Sequence, residues 1–585
     1  MPHFRTRVLA AVAIVLLSMF TTGGCIRNLG REPAWGKPTT LLFDLDDDVA
    51  IPERPVVIFL IDGLHKATFE EMLAAGELPH IKHYLVDRGV SVDKAVGCLP
   101  TVTFADITSY ATGRYPGHHG VLGNKWFDPL HLECQDYVTI GTMSLVNDDI
   151  RVPTVYELLD REKSVVMVTQ INRGCTRFYE NWMRIGPAWF FKMFRNVSMS
   201  TTARLQNTVW EANEDQRWPD LITLYYPATD EAAHLYGHGS DTYRELIRVF
   251  DAEVGDACKA FEKEGFLDRV LLVLVTDHGM ADASRHCDVV GALRDDRLKV
   301  WTKPLNEQWG HYQQRFAKLK DYHAVVVVDS ERFAKIHFRI PGRSWAYRPT
   351  LEEIAKLSAD LYHAHAQTTR PPGQGRIHEV TFKDTVGTLL MLPGVEFFAH
   401  SDRGLPKTRV RLQTRKGHAV ITRRTDGRGK VYSYRVAAGA DPLGYGDHPA
   451  AAQLSGGEFH TADAWLAATI DTEYPDVVSQ LPEMFDSPRA GDLCLFARPG
   501  WDFGRTNKSG HGGLSRDETV VPLVFAGGGL PQGGRIRYAR TLALVPTVVH
   551  FIRDEIDPAL FRHFDERSLL DILRAAGQNA PSATP

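Results

Sequence analysis

The chain has 585 residues, of which 44% are hydrophobic and 24% are charged, and its formal net charge is −5. This composition is typical of a globular protein and excludes the disordered and fibrous classes, and the length allows a large hydrophobic core. Since there is no excess of positive charge, we expect no nucleic-acid polymer as a partner.

The N-terminal segment has the pattern of an export signal. Arg5 and Arg7 precede an apolar run over 8–20, which is shorter than the roughly 20 residues that a membrane-spanning helix needs. Small residues precede Cys25 and resemble a bacterial lipoprotein cleavage box, with Thr22 in place of its usual leucine. We therefore predict a signal over 1–25, lipidation of Cys25, and an exported protein of the periplasm or cell envelope that is anchored to a membrane. Ordinary signal cleavage and an uncleaved anchor are the alternatives.

Short apolar runs separated by helical patterns predict the fold. Nearly continuous runs of this kind suit strands that are covered on both faces, and their alternation with helices predicts an α/β sandwich with a central, mostly parallel sheet. The runs are 56–61, 164–168, 221–226, 270–276, 324–328 and 520–525, and the clearest helical patterns are 67–75 and 242–264.

Changes in sequence pattern predict the domain organisation. Residues 26–53 lack periodicity and indicate a tether, and the last residues, 576–585, indicate a disordered tail. The catalytic core is predicted in two parts, 54–290 and 506–575. The irregular stretch 291–505 between them is predicted to be a large α+β insertion or cap.

Acidic and histidine side chains follow three of the predicted strands. Asp62 follows the first run, Asp230 and His234 follow 221–226, and Asp277 and His278 follow 270–276. Ligands of an open α/β sheet bind beyond the carboxyl ends of its strands, so we expect these side chains to meet. Carboxylate and imidazole bind zinc and similar divalent ions, and two such clusters suggest a two-metal site for phosphoryl displacement. Each acid taken alone would more often cap a turn.

Thr103 is the candidate nucleophile. Thr103 and Asp106 resemble a capping box at the start of a helix that Gly113 could end. The free N–H groups at a helix N-terminus favour a phosphate, and a bound metal would activate the hydroxyl group. A role for Thr103 as a helix cap only is the alternative.

Taken together and in order, these motifs resemble the nucleotide pyrophosphatase/phosphodiesterase branch of the alkaline phosphatase superfamily. The match covers roughly 55–290 and 505–555. The motifs are FLIDG at 59–63, PTVTF at 100–104, TGRYPGHHG at 112–120, Asp230 with His234, TDHGM at 276–280 and GHG at 510–512.

The resemblance implies an alkaline-phosphatase-like fold and two zinc ions, with other divalent metals possible. It implies that Asp230, His234 and His511 bind one ion, and that Asp62, Asp277, His278 and Thr103 bind the other. The implied reaction is hydrolysis of a phosphodiester or pyrophosphate bond through a phosphothreonine on Thr103. The substrate would be a phosphate-ester small molecule or a lipid head group.

Phe104, Asp106 and Arg173 are the candidate substrate contacts. Phe104 after the nucleophile resembles the diesterase branch, whereas Arg173 stands roughly where related monoesterases carry a Lys/Arg pair, and a loop-fixing role is its alternative. The family usually has an asparagine that donates to a phosphoryl oxygen, and the sequence does not reveal its position. Asp106 would repel phosphate unless protonated or turned away, so capping is its alternative role.

Three other functions stay open at this point. They are phosphomonoester hydrolysis, a phosphoethanolamine-type phosphotransfer within the same superfamily, and an inactive metal-binding surface lipoprotein.

Overall fold

The structure is a computed structural model that describes residues 43–139, 141–159, 162–179, 192–304, 311–369, 384–402, 408–504 and 507–577, without the side chains of 362–369. The predicted signal, Cys25, and the tether up to residue 42 lie outside the described residues, as does most of the predicted tail. Within these ranges, no helix combines the length and the apolar character needed to cross a bilayer.

The described strands are numbered in chain order. They are β1 Val56–Ile61, β2 Gly89–Val96, β3 Lys125–Asp128, β4 Glu133–Asp136, β5 Ser164–Met167, β6 Arg177–Tyr179, β7 Leu221–Tyr226, β8 Leu271–Thr276, β9 Ala281–Asp282, β10 Arg285–His286, β11 Val300–Trp301, β12 Ala324–Asp329, β13 Phe333–Phe338, β14 Val395–Asp402, β15 Thr408–Gln413, β16 Gly417–Asp426, β17 Gly429–Gly439, β18 His460–Thr461, β19 Leu493–Ala497, β20 Trp501–Asp502, β21 Ser509–Gly510, β22 Val520–Gly527 and β23 Gly534–Arg540.

The described α-helices are numbered in the same way. They are α1 Lys66–Ala74, α2 Pro79–Ile81, α3 Thr103–Thr112, α4 Pro116–His119, α5 Val146–Asp149, α6 Val155–Leu158, α7 Phe194–Thr202, α8 Leu205–Asp215, α9 Ala228–Tyr236, α10 Asp241–Lys263, α11 Val289–Asp295, α12 Tyr312–Leu319, α13 Leu351–Thr369, α14 Thr385–Leu390, α15 Pro449–Leu454, α16 Ala462–Thr469, α17 Val477–Met484, α18 Arg516–Thr519, α19 Leu544–Arg553, α20 Pro558–Phe561 and α21 Leu570–Ala575.

The central sheet has the strand order β23-β2-β22-β8-β1-β7-β5-β6. Its adjacent pairs are parallel except for those that β22 makes with β2 and β8. Ile58 and Leu60 of β1 pack in one core with residues of α3 and α19. On the other face, Phe250 of α10 packs against Tyr226 of β7 with ring centroids 4.8 Å apart. The predicted α/β sandwich with a mostly parallel sheet is confirmed.

A second sheet lies within the stretch that was predicted as an insertion. Its strand order is β11-β12-β13-β19-β14-β15-β16-β17-β18, and its strand pairs are antiparallel except for β11 with β12. The apolar run predicted at 324–328 forms β12 and therefore belongs to this sheet.

Residues 43–53 were predicted as the end of a tether, and the structure corrects this. Phe43 is buried, and its ring lies 5.3 Å from that of Trp218 and 5.7 Å from that of Phe261. Ala50 accepts a backbone hydrogen bond from Trp218 and donates one to Gln216. The folded body therefore includes the chain from Phe43 onward, because an aromatic side chain so placed gains stability by leaving water.

Candidate active site

Three neighbouring strands of the central sheet bring the predicted acids together. Strands β8, β1 and β7 lie side by side and parallel. Asp62 follows β1, Asp277 and His278 follow β8, and α9, which carries Asp230 and His234, begins soon after β7. His511 joins them from the loop after β21. The predicted convergence at the carboxyl ends of the strands is therefore present in the structure.

The side chains form two overlapping groups around Asp230. The ligand atoms of Asp230, His234 and His511 lie within 4.8 Å of one another, and so do those of Asp62, Asp230 and His278. The Asp230 carboxylate lies 3.3 Å from His234 Nε2 and 3.5 Å from His511 Nε2. The first group is the predicted ligand set of one metal. The second includes Asp230, which was not predicted there.

Asp277 borders the second group. Its Oδ2 atom lies 3.4 Å from His278 Nε2, and Asp62 Oδ1 lies 3.5 Å from the same nitrogen. The other carboxylate oxygen of Asp277, Oδ1, accepts the N–H groups of Gly63 and His278. One oxygen of Asp277 is thus held by backbone while the other faces the cluster.

All three histidines present the same nitrogen to the cluster. Their Nδ1 atoms lie 2.8–3.1 Å from the backbone carbonyl oxygens of Ser509, Gly279 and Thr101, for His234, His278 and His511 respectively. A carbonyl oxygen only accepts, so each Nδ1 carries the proton. The Nε2 atoms therefore face the acids, which is the arrangement that metal-binding histidines need.

Three buried carboxylate oxygens in the cluster have no hydrogen-bond partner among the described residues, namely Asp62 Oδ1, Asp230 Oδ1 and Asp277 Oδ2. Burial, together with the nearby Asp277 and Asp230, raises the pKa of Asp62 well above its ordinary value. Burial opposes a charge on His234, yet Asp230 and Glu331 raise its pKa to about 10. The acids thus hold a proton on His234, and the donors of the cluster fit divalent cations of the zinc type, which would displace that proton.

Thr103 lies beside this cluster as the first residue of α3. Its Oγ1 atom is 3.2 Å from His278 Nε2. The predicted capping box is wrong, because Val102 is the N-cap residue and the Thr103 side chain caps nothing. The predicted end of the helix is right, since Gly113 follows it with a left-handed φ of 66°. The Thr103 hydroxyl group is therefore directed to the cluster rather than to its own helix.

Asp106 is fully buried one turn further along α3. Its Oδ1 atom accepts the backbone N–H of Cys98 at 3.1 Å. Burial, followed by the charge of Asp277, raises the pKa of Asp106 well above its ordinary value. Asp106 is therefore turned toward the backbone of Cys98 and of Val102, the N-cap residue of α3.

Asn124 is a site residue that the sequence did not reveal. Its Oδ1 atom accepts the backbone N–H of Phe104 at 3.0 Å, which places the amide group at the N-terminus of α3 next to Thr103. No local pattern marks Asn124, because its partner lies 20 residues away along the chain.

The other two candidate substrate contacts have different surroundings. Phe104 is half-buried, and its ring lies 5.3 Å from that of Tyr137. The guanidinium group of Arg173 donates to Glu157 and to the carbonyl oxygens of Asn147 and Ile150. Arg173 is thus engaged in fixing its own loop, and the structure gives it no contact with the cluster.

A tight turn of the second sheet also reaches the cluster. Glu331, between β12 and β13, has its Oε2 atom 3.7 Å from His234 Nδ1 and forms a backbone bridge with His511. Ser330 and Glu331 have φ values of 48° and 64°, which are uncommon for residues other than glycine. Strained backbone of this kind is often found at functional sites. The sequence contained no signal for this turn.

Comparison with known proteins identifies relatives of this chain. The family described as type I phosphodiesterase/nucleotide pyrophosphatase matches residues 56–414, more than half of the chain. An uncharacterized pyrophosphatase/phosphodiesterase of Schizosaccharomyces pombe is 24% identical over 237 residues, 40% of this chain and 46% of that protein. Human bis(5'-adenosyl)-triphosphatase ENPP4 is 20% identical over 249 residues, 42% and 51% of the two chains.

Further matches complete the comparison. Venom phosphodiesterase 2 of Crotalus adamanteus is 25% identical over 243 residues, 40% of this chain and 28% of that protein. The chain thus spans about half or less of the length of the curated relatives that it matches. The solved structure of murine ectonucleotide pyrophosphatase/phosphodiesterase 5 is 14% identical, with a TM-score of 0.47 over 86% of this chain and 95% of that one. An inactive variant of the same murine protein in complex with AMP gives a TM-score of 0.46.

Proposed function

Since the chain belongs to the type I phosphodiesterase/nucleotide pyrophosphatase family, we propose that it is a metal-dependent hydrolase that cleaves phosphodiester or pyrophosphate bonds. One observation carries the proposal. The Thr103 hydroxyl group lies at the N-terminus of α3, 3.2 Å from His278 Nε2, beside a cluster of acids in which three buried carboxylate oxygens have no hydrogen-bond partner among the described residues. A nucleophile, an anion-binding helix terminus and a divalent-cation site are thereby combined in one place.

Different residues of the chain would bind the two cations and the substrate. Asp230, His234 and His511 would hold one divalent cation, and Asp62, Asp277, His278 and Thr103 the other. When bound, two zinc ions would supply Lewis-acid stabilisation of the attacking and leaving oxygens. The N–H groups at the start of α3 and the amide group of Asn124 offer donors to the non-bridging oxygens of the substrate.

The proposed cycle has two in-line displacements. In the first, Thr103 Oγ1 forms a bond to phosphorus while the bond to the leaving oxygen breaks, which yields a phosphothreonine and the first product. In the second, a water oxygen bonds to the same phosphorus from the vacated side and Thr103 Oγ1 leaves. The proton of the Thr103 hydroxyl group leaves with the first product, and one proton of the water returns to Thr103 Oγ1, so Thr103 regains its starting state.

The surroundings of the site favour diesters over monoesters. A monoester dianion needs additional cationic contacts, and Arg173, the candidate for this role, is bound to Glu157 and to backbone carbonyl groups. Phe104, which follows Thr103 in the chain, has a half-buried apolar ring and brings no charge. We propose a small phosphate diester or a nucleotide-like pyrophosphate as the substrate class.

The first test combines metal content with activity on three chromogenic esters: bis(p-nitrophenyl) phosphate, p-nitrophenyl phosphate and a nucleotide p-nitrophenyl ester. We expect bound zinc, cleavage of the diesters that a chelator abolishes, and a loss of kcat of about a thousandfold or more in Thr103→Ala, because the nucleophile is removed.

Thr112→Ala is the matched control, because Thr112 lies in the same helix and, among the described residues, its hydroxyl group bonds only to the carbonyl oxygen of Thr108. It should keep normal turnover. Full activity in Thr103→Ala would contradict the assignment of the nucleophile. Metal binding without cleavage of any of the three esters would favour a phosphotransferase, and no metal at all would favour an inactive surface protein.

A further inference from the structure

A buried ion pair of the second sheet forms hydrogen bonds with the backbone of the segment that carries Asn124. Asp329, at the end of β12, and Lys335, in β13, are both fully buried, and Lys335 Nζ donates to Asp329 Oδ2 at 2.7 Å. Neither residue belongs to the central sheet, and neither contacts the acids and histidines of the cluster in the described structure. A buried charge pair is costly to form and is retained only where its hydrogen bonds are satisfied.

The ion pair forms hydrogen bonds with three backbone groups of this segment. Lys335 Nζ donates to the carbonyl oxygens of Leu122 at 2.7 Å and Lys125 at 2.8 Å, on either side of Asn124. The backbone N–H of Asn124 itself donates to Asp329 Oδ1 at 3.1 Å. With these bonds, all three ammonium protons of Lys335 and both carboxylate oxygens of Asp329 have partners.

The Asp329 carboxylate packs closely against the backbone of Gly123. Gly123 has a φ of 137°, and a Cβ atom at that position would lie 1.8 Å from Asp329 Oδ2. Only glycine allows the carboxylate to approach the backbone this closely and adopts such a φ without strain. The absence of a side chain at Gly123 therefore leaves the space that the Asp329 carboxylate occupies.

The geometry points to Asp329 and Lys335 as positioning residues for the reaction. We propose that they fix the Asn124 amide group against the N–H of Phe104, and so keep its free donors beside Thr103. This inference rests on the proposed function, since the site that Asn124 serves is that of phosphoryl transfer. A displacement of about 1 Å in a group that contacts the transition state can lower the rate about a hundredfold.

Two double variants isolate the contact with Asn124. Asp329→Ala with Lys335→Met removes both charges and the acceptor for the Asn124 N–H. Asp329→Asn with Lys335→Met removes the same charges but keeps an oxygen acceptor. On bis(p-nitrophenyl) phosphate, with the metal content of each protein measured, we expect the first to lose about 10- to 100-fold in kcat. The second should lose clearly less, because it keeps the acceptor for the Asn124 N–H although the two bonds of Lys335 are gone, and KM should change little in both.

A cycle with Asn124→Ala separates positioning from general destabilisation. Asn124→Ala alone should lower kcat by about a hundredfold, as the loss of a transition-state donor does. Adding Asp329→Ala with Lys335→Met to it should lower kcat little further, because no amide group remains to be positioned. Asp251→Asn is the stability control, because Asp251 is a buried acid that accepts the backbone N–H groups of His80 and Ile81 elsewhere in the fold.

The outcomes are distinct. Equal losses of kcat in the two double variants, or fully additive losses in the Asn124→Ala background, would overturn the positioning role while the hydrolase proposal stands. A loss of kcat in Asp251→Asn that matches its loss of thermal stability would also overturn it. An inactive wild-type protein would instead contradict the proposed function itself.

Discussion

Asp106 and Asn124 show how the immediate partner of a residue decides what it can do. Asp106 is close to Thr103 in sequence, yet its carboxyl group accepts the N–H of Cys98 and lies in the interior. Asn124 is distant in sequence, yet its amide group lies at the start of α3. In the proposed reaction, a neutral amide near Thr103 would attract a phosphoryl oxygen, whereas a carboxylate would repel it. Because Asn124 and not Asp106 lies beside Thr103, a bound phosphate would meet a neutral amide group rather than a carboxylate.

Asp106 is therefore predicted to stabilise the fold rather than to bind substrate. Asp106→Asn keeps an acceptor for the Cys98 N–H, and we expect kcat for diesters within about twofold of wild type. Asp106→Ala leaves that N–H unpaired, which should cost about 1–3 kcal/mol in the free energy of unfolding. Urea denaturation and steady-state kinetics on the two variants check this, and a marked rise in diesterase activity in Asp106→Asn would place the carboxyl group at the phosphate instead.

At the scale of elements, the short helix α4 is joined to two distant parts of the chain through His118. Its Nε2 atom lies 2.9 Å from Glu483 and 3.0 Å from Asp486, and its Nδ1 atom lies 2.5 Å from Asp565. Gly117 allows the close approach, since a Cβ atom there would lie 1.9 Å from the carbonyl oxygen of Glu483. This junction ties the segment just after α3 to α17 and to the C-terminal part of the chain.

This junction predicts a pH dependence of stability. Burial opposes a charge on His118, but its bonds to Asp486, Asp565 and Glu483 raise its pKa to about 10. An unfolded histidine has a pKa of about 6.5, so the protonated side chain stabilises the fold fully below that pH. The contribution is lost as the pH rises through about 10. We expect the free energy of unfolding to fall between pH 7 and pH 10, as measured by urea denaturation.

His118→Gln should flatten this fall, because glutamine has no proton to lose over this range. His563→Gln, at an exposed histidine, is the control and should leave the profile of the wild-type protein unchanged. An equally steep profile in His118→Gln would assign the pH dependence to other groups.

At the scale of the whole molecule, the two sheets have separate tasks. The central sheet brings the acids and histidines to one edge, because β8, β1 and β7 are parallel neighbours. The second sheet supplies the turn between β12 and β13, which reaches Asn124 through Asp329 and the histidines through Glu331. The stretch predicted as a cap is thus also a structural support of the site.

Cellular location is a further prediction at this scale, and we propose that the protein is exported and lipid-anchored. The basic and apolar start of the chain and the small residues before Cys25 are the reasons. Cys25→Ser should prevent lipidation, because serine offers no thiol for a thioether. We expect labelled palmitate in the wild-type protein but not in the variant, after expression in a bacterial host. Equal labelling of the two, or no labelling of either, would contradict the anchor.

The local sequence determined much of this protein. Apolar runs at 56–61, 221–226 and 270–276 form adjacent parallel strands, and the acids and histidines that follow them meet at one edge, as predicted. Strand burial and helix periodicity depend on residues that are close together in the chain, so a single sequence displays them. The order of the motifs around Thr103 likewise indicated the family before any geometry was known.

The tertiary structure decided what depends on distant partners. Asn124 meets Asp329 across 205 residues, and His234 meets the carbonyl oxygen of Ser509 across 275. The direction of Asp106, the loop-fixing bonds of Arg173 and the approach of Glu331 to His234 are decided in the same way. Each depends on which buried polar group lacks a partner once the two sheets have packed, and no local pattern of residues encodes that.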